Sequence, residues 1–481
     1  MTFTAPACRV LTDALQVLKI SLPTTGMFFL VMGCETISLM VLGHIHGTSE
    51  EVSALGLGNS VFNCVALSIG FGFTSSLETT VTQARGADDL ELGRMYLHRC
   101  QCWMGFLSVV CGAAVCMTEP ILNVCHMADP VTARHAGVYT QWCAVGLFGM
   151  FQCSALRKYL TSHTDGFGGF LGQAACLPLH LLWCILLAPR FRVAGLGMAM
   201  AIKGWFDFLF IAVYTSFFGP AGGSSGWWKF WKALQIEAAM KRMRDYFMLA
   251  VPNILLTAAE WWAFEMLVFM AGYLHNPDEL ASHVTLVNVS NVLYLGCVGA
   301  NKAASTLVGD ATGRGSEQDA KRVVRVAAGV NTVVAGICGL AVLGFRTWIC
   351  KMYSPTNVEV QTIVASVLPV VVAMAFLDGQ RLCLEGGLVG YGRQQACSVI
   401  GAFCWWVVLP PTAVLLCFLW KLKVRGLWMA GMVTSISALL LNLRFYWRLN
   451  FATVHREAVE RMLRDGGTVA TTPLAAEEAA C

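Results

Sequence analysis

LAVPNILLTAAEWWAFEMLVFMAGY, residues 249–273, decides how this chain is read. It is fenced by Lys241, Arg242 and Arg244 on one side and by His275, Asn276 and Pro277 on the other. About 20 apolar residues let a helix cross roughly 30 Å of hydrocarbon, so the stretch predicts a membrane span. Two carboxylates, Glu260 and Glu265, lie inside it. A charge at that depth costs at least ~2.5–3.5 kcal/mol, so such an acid either serves transport or pairs with a buried donor that joins two helices. Five residues apart, the two acids point about 140° from each other around a helix. A straight helix cannot aim both at one cavity, and one of them is expected to be the principal site. Pro252 stands near the helix start, where a missing N–H is tolerated or bends the helix.

The rest of the chain agrees with a polytopic membrane protein. Its 481 residues are 56% hydrophobic and 13% charged, with a mean hydropathy of +0.61, whereas soluble domains carry about 25% charged residues. Stretches of spanning length are centred near Phe28, Val65, Val109, Gly146, Leu179 and Ile211, then near Ala259, Leu295, Val334, Val371, Val408 and Leu439. The net charge of +4 is spread over loops and points to no nucleic-acid partner. Twenty cysteines without metal-ligand spacing read as small buried apolar residues. The start, MTFTAPACRVLTD, lacks the pattern of a cleavable leader. No nucleotide-binding GxxxxGK[ST] occurs, so ATP is not expected to drive the protein directly. No convergent His/Asp or Ser/His set suggests an enzyme. No cofactor is expected beyond a proton gradient, or a sodium gradient in its place.

Two halves repeat. SSLETTVTQARGADDLELGR (75–94) aligns with KAASTLVGDATGRGSEQDAK (302–321), placing Gly86 over Gly313, and VAGLGMA (193–199) aligns with VRGLWMA (424–430). With six spans in each unit, both halves sit the same way up. The expected fold is therefore an all-α membrane protein of twelve transmembrane helices, in two six-helix lobes related by a pseudo-two-fold axis along the membrane normal. Such repeats characterise secondary transporters, with the substrate site between the halves. The expected divisions are an N-terminal tail (1–14), an N-lobe (15–218), a linker (219–245), a C-lobe (246–448) and a C-terminal tail (449–481). The linker opens with GPAGGSSG (219–226) and continues as Trp227–Tyr246, which reads as an interfacial helix. The loops holding Arg85, Arg94, Arg99, Arg157, Lys158, Lys321, Arg322 and Arg325 are the more basic set. They place the linker and both tails in the cytoplasm.

ISLMVLGH (37–44), SSLETTVTQARGA (75–87), VYTQW (138–142), ALRKYLTS (155–162), EWWAFE (260–265) and LDGQRLCLEGGLVGYGRQQ (377–395) occur in that order. As a set they resemble the multidrug and toxic compound extrusion (MATE) family in its plant-like branch, from about residue 15 to 450. The resemblance implies a monomeric exporter of small organic compounds, cationic or planar aromatic, in exchange for protons or sodium. The two lobes would rock between inward-open and outward-open states in a plasma or vacuolar membrane. It also implies that Glu260 and Asp378 carry the proton. Asn288 stands where animal organic-cation exporters have a further acid. Ser38 stands where bacterial proton-coupled members have one, and Glu35, a turn earlier, is a candidate replacement. The family's Arg after the eighth helix is Leu307 here. Arg381 occupies a position that is usually neutral, and an Arg at i+3 favours the ionised form of Asp378. Asp378 therefore either carries the proton or is locked in a salt bridge. A sodium-coupled exporter, a lipid-linked sugar flippase of the same superfamily and a non-transporting receptor are the alternatives.

Candidate substrate contacts are Trp261, Asn288, Asn291 and Tyr294 in the C-lobe, with Asp207 and Ser38 in the N-lobe. Trp261, Trp262, Trp405 and Trp406 could wall a cationic or planar substrate, although many tryptophans in such a chain anchor helices at the interface. Lys203 and Asp207, at i and i+4, read first as a structural salt bridge and second as cavity lining. Glu78 reads as a helix-end structural acid, His180 as a hydrogen-bonded core residue, and Lys302 as a lysine snorkelling to the interface.

Overall fold

The structure is a computed structural model that describes residues 5–124, 128–219, 241, 243–274, 276–354 and 357–467. Among these residues twelve helices of spanning length follow one another. The first six are α1 (Ala5–His44), α2 (Glu50–Gly86), α3 (Leu90–Val115), α4 (Pro130–Ser162), and α5 and α6, the two arms of Phe167–Phe218. The second six are α7 (Met243–Gly272), α8 (Pro277–Gly313), α9 (Glu317–Gly344), α10 (Val358–Gly390), α11 (Gln394–Leu419) and α12 (Lys423–Trp447). An amphipathic helix, α13 (Phe451–Arg464), follows them.

Local chemistry starts and stops these elements. Side chains of Asp129, Asn276, Ser316 and Asn357 accept hydrogen bonds from the first-turn N–H groups of α4, α8, α9 and α10. Those donors have no partner inside the helix. The 52-residue run Phe167–Phe218 is broken at Arg192, whose φ is 54°. The Arg192 guanidinium there donates to Glu51 at 2.5 and 2.9 Å and to the Ile45 carbonyl at 2.9 Å.

Helices α1–α6 surround one apolar core, which includes Leu77, Leu97, Leu147, Phe151 and Leu196. Cys100, Cys143, Cys153 and Cys184 pack within it as small apolar residues. Helices α7–α12 surround their own, with Val324, Leu368, Val371, Leu388 and Trp428. The duplication is visible where the halves touch. A Cβ built on Gly86 would lie 2.1 Å from the Asp310 carbonyl oxygen, and one on Gly313 would lie 2.1 Å from that of Gln83. Gly86 and Gly313 are equivalent positions of the sequence repeat, and so are Gln83 and Asp310, so each half offers the same contact to the other. The pseudo-two-fold axis therefore runs through this glycine contact.

Two helices cross between the lobes. Val17 and Ile20 of α1 are buried among Ala303, Leu307 and Val323 of the C-lobe. Tyr246 and Ala250 of α7 join the N-lobe core. Each helix carries a proline just past its crossing, Pro23 in α1 and Pro252 in α7.

The boundaries differ from the sequence expectation at both ends. Residues 5–14 extend α1 rather than forming a tail, because Asp13 is fixed to Arg322 of α9 at 2.5 Å. The stretch after Asn450 begins as α13, whose Phe451, Val454, Ala458 and Met462 are buried. Most of the interfacial helix expected over Trp227–Tyr246 lies outside the described residues, and residues 243–246 belong to α7.

Candidate functional site: a buried charge cluster and the seam between the lobes

The apolar stripe of α7 runs through Asn253, Glu260, Ala263 and Leu267, all buried, so it turns Glu260 into the C-lobe. There Glu260 meets Arg381 of α10, which has no exposed surface. The Arg381 guanidinium donates from Nη2 to Glu260 at 2.6 Å, from Nε to Asp378 at 2.6 Å, and from Nη1 to both oxygens of Glu385 at 2.8 and 2.9 Å. Asp378, Arg381 and Glu385 share one face of α10 at i, i+3 and i+7. From α12, Ser435 donates to Asp378 at 3.2 Å and Asn442 to Glu385 at 2.9 Å. Trp405, in a π-turn of α11, lies with its ring centroid 5.5 Å from the Arg381 guanidinium carbon. Three buried carboxylates thus surround one fixed, buried cation. If all three are ionised the cluster carries two surplus negative charges.

Glu265 points elsewhere, as its angular separation from Glu260 requires. It is half-buried and accepts a 3.4 Å hydrogen bond from Ser60 of α2, in the other lobe. Asn288 and Asn291 do not reach the Glu260 cluster. They lie with Ala281 and Val284 on the less buried face of α8, and Asn288 bonds its own helix at Val284. Trp261 sits edge-on to Phe71 of α2 with centroids 6.0 Å apart. Tyr294 packs beside Cys297 and Leu382, within electrostatic reach of Glu260 and Arg381. Trp405 is fully buried beneath Arg381 and so walls an internal guanidinium rather than a bound substrate, while Trp262 and Trp406 are exposed.

The N-lobe holds a second polar centre. Lys203 and Asp207 pair at 2.8 Å, and Arg157 of α4 adds a contact to Asp207 at 3.5 Å. Ser38 shares a 3.0 Å hydrogen bond with the buried His180, and Glu35 lies in the field of Lys203.

Between the lobes, the α13 end of the bundle is closed by polar contacts. Glu78 of α2 is held by Lys158 of α4 and by Lys302 of α8, the latter at 2.9 Å. Lys302 therefore does not snorkel; an acid from the other lobe holds it in the seam. Arg85 pairs with Asp310 at 3.0 Å, and Thr79 and Gln83 donate to the carbonyls of Val389 and Gly390 at 2.6 and 3.1 Å. Helix α13 straps this seam, His455 bonding Thr312 of α8 at 2.8 Å and Arg461 bonding Gln83 of α2 at 3.1 Å. Burial draws the Arg461 guanidinium below its ordinary value, against the pull of Tyr96 and three carboxylates. Arg85, Arg99, Lys158 and Arg322 of the basic sequence set all gather at this end.

Sequence reading overlooked Glu385 and Arg157. The i, i+3, i+7 spacing of Asp378, Arg381 and Glu385 was the available signal for the first. For Arg157 there was none, because only the packing of α4 on α6 brings it to Asp207.

The MatE family profile matches residues 23–186 and 252–415. The chain belongs to the MatE family. The two matched segments begin at the crossing prolines, Pro23 and Pro252, so the family unit is the same duplicated half that the glycine contact reveals. Protein DETOXIFICATION 17 of Arabidopsis thaliana is 29% identical over 440 residues, which is 90% of each chain. Multidrug and toxin extrusion protein 1 of Mus musculus is 25% identical, covering 94% of this chain and 78% of the relative. The crystal structure of the eukaryotic MATE transporter AtDTX14 superposes with a TM-score of 0.84 at 24% identity, over 94% of this chain and 99% of that one. The twelve-helix, two-lobe arrangement and the plant-like branch are those of this family, whose members are extrusion transporters.

Proposed function

We propose that this MATE protein is a proton-coupled antiporter that exports small organic cations or planar aromatic compounds as a monomer. The observation that carries the coupling is the charge count around Arg381: three carboxylates, Glu260, Asp378 and Glu385, against one guanidinium. Surplus carboxylates buried among helices are stabilised by taking up protons, since an uncompensated buried charge is costly. Glu260 is the member placed to report this to the rest of the protein. It alone comes from α7, the helix that starts in the N-lobe core and also carries Glu265 toward Ser60. Proton uptake weakens the Glu260 contact to Arg381, and release restores it. Substrate binding between the lobes then favours one arrangement only to the extent that its affinity for the two differs. Asn288, Asn291, Trp261 and Glu265, on the surfaces that face the other lobe or lie open, are the residues we assign to substrate.

Sodium coupling is disfavoured because Arg381 already occupies the centre that a sodium ion would need. With its gathered basic residues the α13 end reads as the cytoplasmic one, so the closed seam shuts the cytoplasmic side. The test is uptake of a fluorescent organic cation into proteoliposomes with an imposed pH gradient, compared with an imposed sodium gradient. Glu260→Gln leaves Arg381 compensated by two acids, so the protein should fold normally and lose proton-driven transport. Normal pH-dependent transport by this variant would remove the centre of the reading.

A further inference from the structure

An open groove of about 840 Å³ runs between α1 and α9 on the flank of the bundle. Its walls are apolar, with Leu18 on α1 and Val330 and Val333 on α9, and three arginines, Arg9, Arg322 and Arg325, stand at one end. The two walls match in length. From Arg9 to Leu18 and from Arg325 to Val333 each helix rises about 12–14 Å, at roughly 1.5 Å per residue. The small residues Ala14 and Gly329 give the groove its depth, and a Cβ built on Gly329 would meet nothing within 4 Å. A glycine inside a helix is less favourable than alanine, and here its effect is to leave that space open.

The charges at the rim are uneven. Arg322 is neutralised by Asp13 at 2.5 Å and Asp319 at 2.8 Å. Arg9 and Arg325 are exposed, and neither forms an ion pair among the described residues. Two uncompensated guanidinium groups thus stand above an apolar trough, at the end of the bundle where the basic residues gather.

We propose that this groove is a binding site for an anionic phospholipid of the surrounding bilayer. Its phosphate sits between Arg9 and Arg325, and an acyl chain lies along Leu18, Gly329 and Val333. Guanidinium forks suit a phosphate's oxygens, and the trough has the polarity of an acyl chain. Because the first half of α1 packs into the C-lobe core, the lipid lies beside the stretch where this helix crosses from one lobe to the other.

The test is native mass spectrometry of the full chain released from bilayers of phosphatidylcholine with phosphatidylglycerol, scoring which lipid is retained. Retention of phosphatidylglycerol over phosphatidylcholine is expected. The double change Arg9→Gln with Arg325→Gln should weaken phosphatidylglycerol retention roughly 30-fold, from about 1 kcal/mol per arginine near a lipid surface at about 1.4 kcal/mol per factor of ten. Gly329→Leu fills the trough while leaving both arginines, and should also abolish retention. It favours the helix, so a folding defect does not confuse the result. Inorganic phosphate added alone should not compete. Equal retention by parent and both variants, equal retention of the two lipids, or displacement by inorganic phosphate would each overturn the assignment.

Discussion

Removing Arg381 is the sharpest perturbation of the buried cluster. In Arg381→Gln, Glu260, Asp378 and Glu385 share a buried pocket with no cation, so the folded variant must hold one more proton than the parent does. Protonating a carboxyl of ordinary value near 4.3 costs about 1.4 kcal/mol for each pH unit above that value. The penalty is therefore roughly 1 kcal/mol at pH 5, roughly 4 kcal/mol at pH 7 and roughly 5 kcal/mol at pH 8. The values at pH 7 and 8 match the ~3–5 kcal/mol usual for stripping one partner from a buried ion pair. The sign follows from linkage. The folded variant binds one more proton than the folded parent, so its stability falls more steeply as pH rises and the gap between the two widens. The assay is unfolding of purified protein in detergent at several pH values, for parent and variant together. The companion Arg381→Gln with Glu385→Gln removes the cation and one acid as a unit, and should return to within about 1 kcal/mol of the parent at pH 7. A gap that does not change with pH, or a double variant less stable than the single one, would refute the charge count.

Other expectations follow from the seam. Glu78→Gln leaves Lys158 and Lys302 facing each other without their acid, so the α13 end should open, seen as faster amide exchange over 76–86; unchanged exchange there would count against the contact as a latch. Gly313→Ala puts a methyl 2.1 Å from the Gln83 carbonyl oxygen, and should slow transport by preventing closure while leaving each lobe folded. Ending the chain after Arg448 removes α13 and should likewise raise exchange at the seam, with a smaller effect from Asp465→Asn, which weakens the ties to Tyr96 at 2.9 Å and Arg99 at 3.3 Å by about 1 kcal/mol. Asp378→Asn should be tolerated, because Glu260 and Glu385 still balance Arg381, so Asp378→Asn with Arg381→Gln should be less stable than Asp378→Asn alone.

That last comparison reverses what a simple Asp378–Arg381 pair would give, and the reversal shows what the sequence could and could not supply. The spans, the duplication and the special place of Glu260 were legible because each is written in local order: apolar length, a repeated segment, an acid in mid-membrane. The Asp378–Arg381 contact was legible too, as neighbours on one helix turn. The fork from Arg381 to Glu260 was not, since it joins α7 to α10 and one sequence does not say which helix faces which. For the same reason Lys302 read as a helix-end cation, although its acid comes from the other lobe. Asn288 and Asn291 were named as substrate contacts, and one sequence could not say that they lie on the less buried face of α8.

The exchanged first halves of α1 and α7 bear on how the protein is made. The N-lobe core includes Tyr246 and Ala250, so it is incomplete until the ribosome has passed residue 250, well after α6 has emerged. The C-lobe core, conversely, is built partly on Val17 and Ile20, which are synthesised first. Neither half is therefore a self-sufficient folding unit. A chain cut within the linker should yield fragments that recover their cores only by pairing with each other. A single ancestral half would have met the same need by exchanging its first helix with a second copy of itself, a two-chain assembly that the linker later made into one.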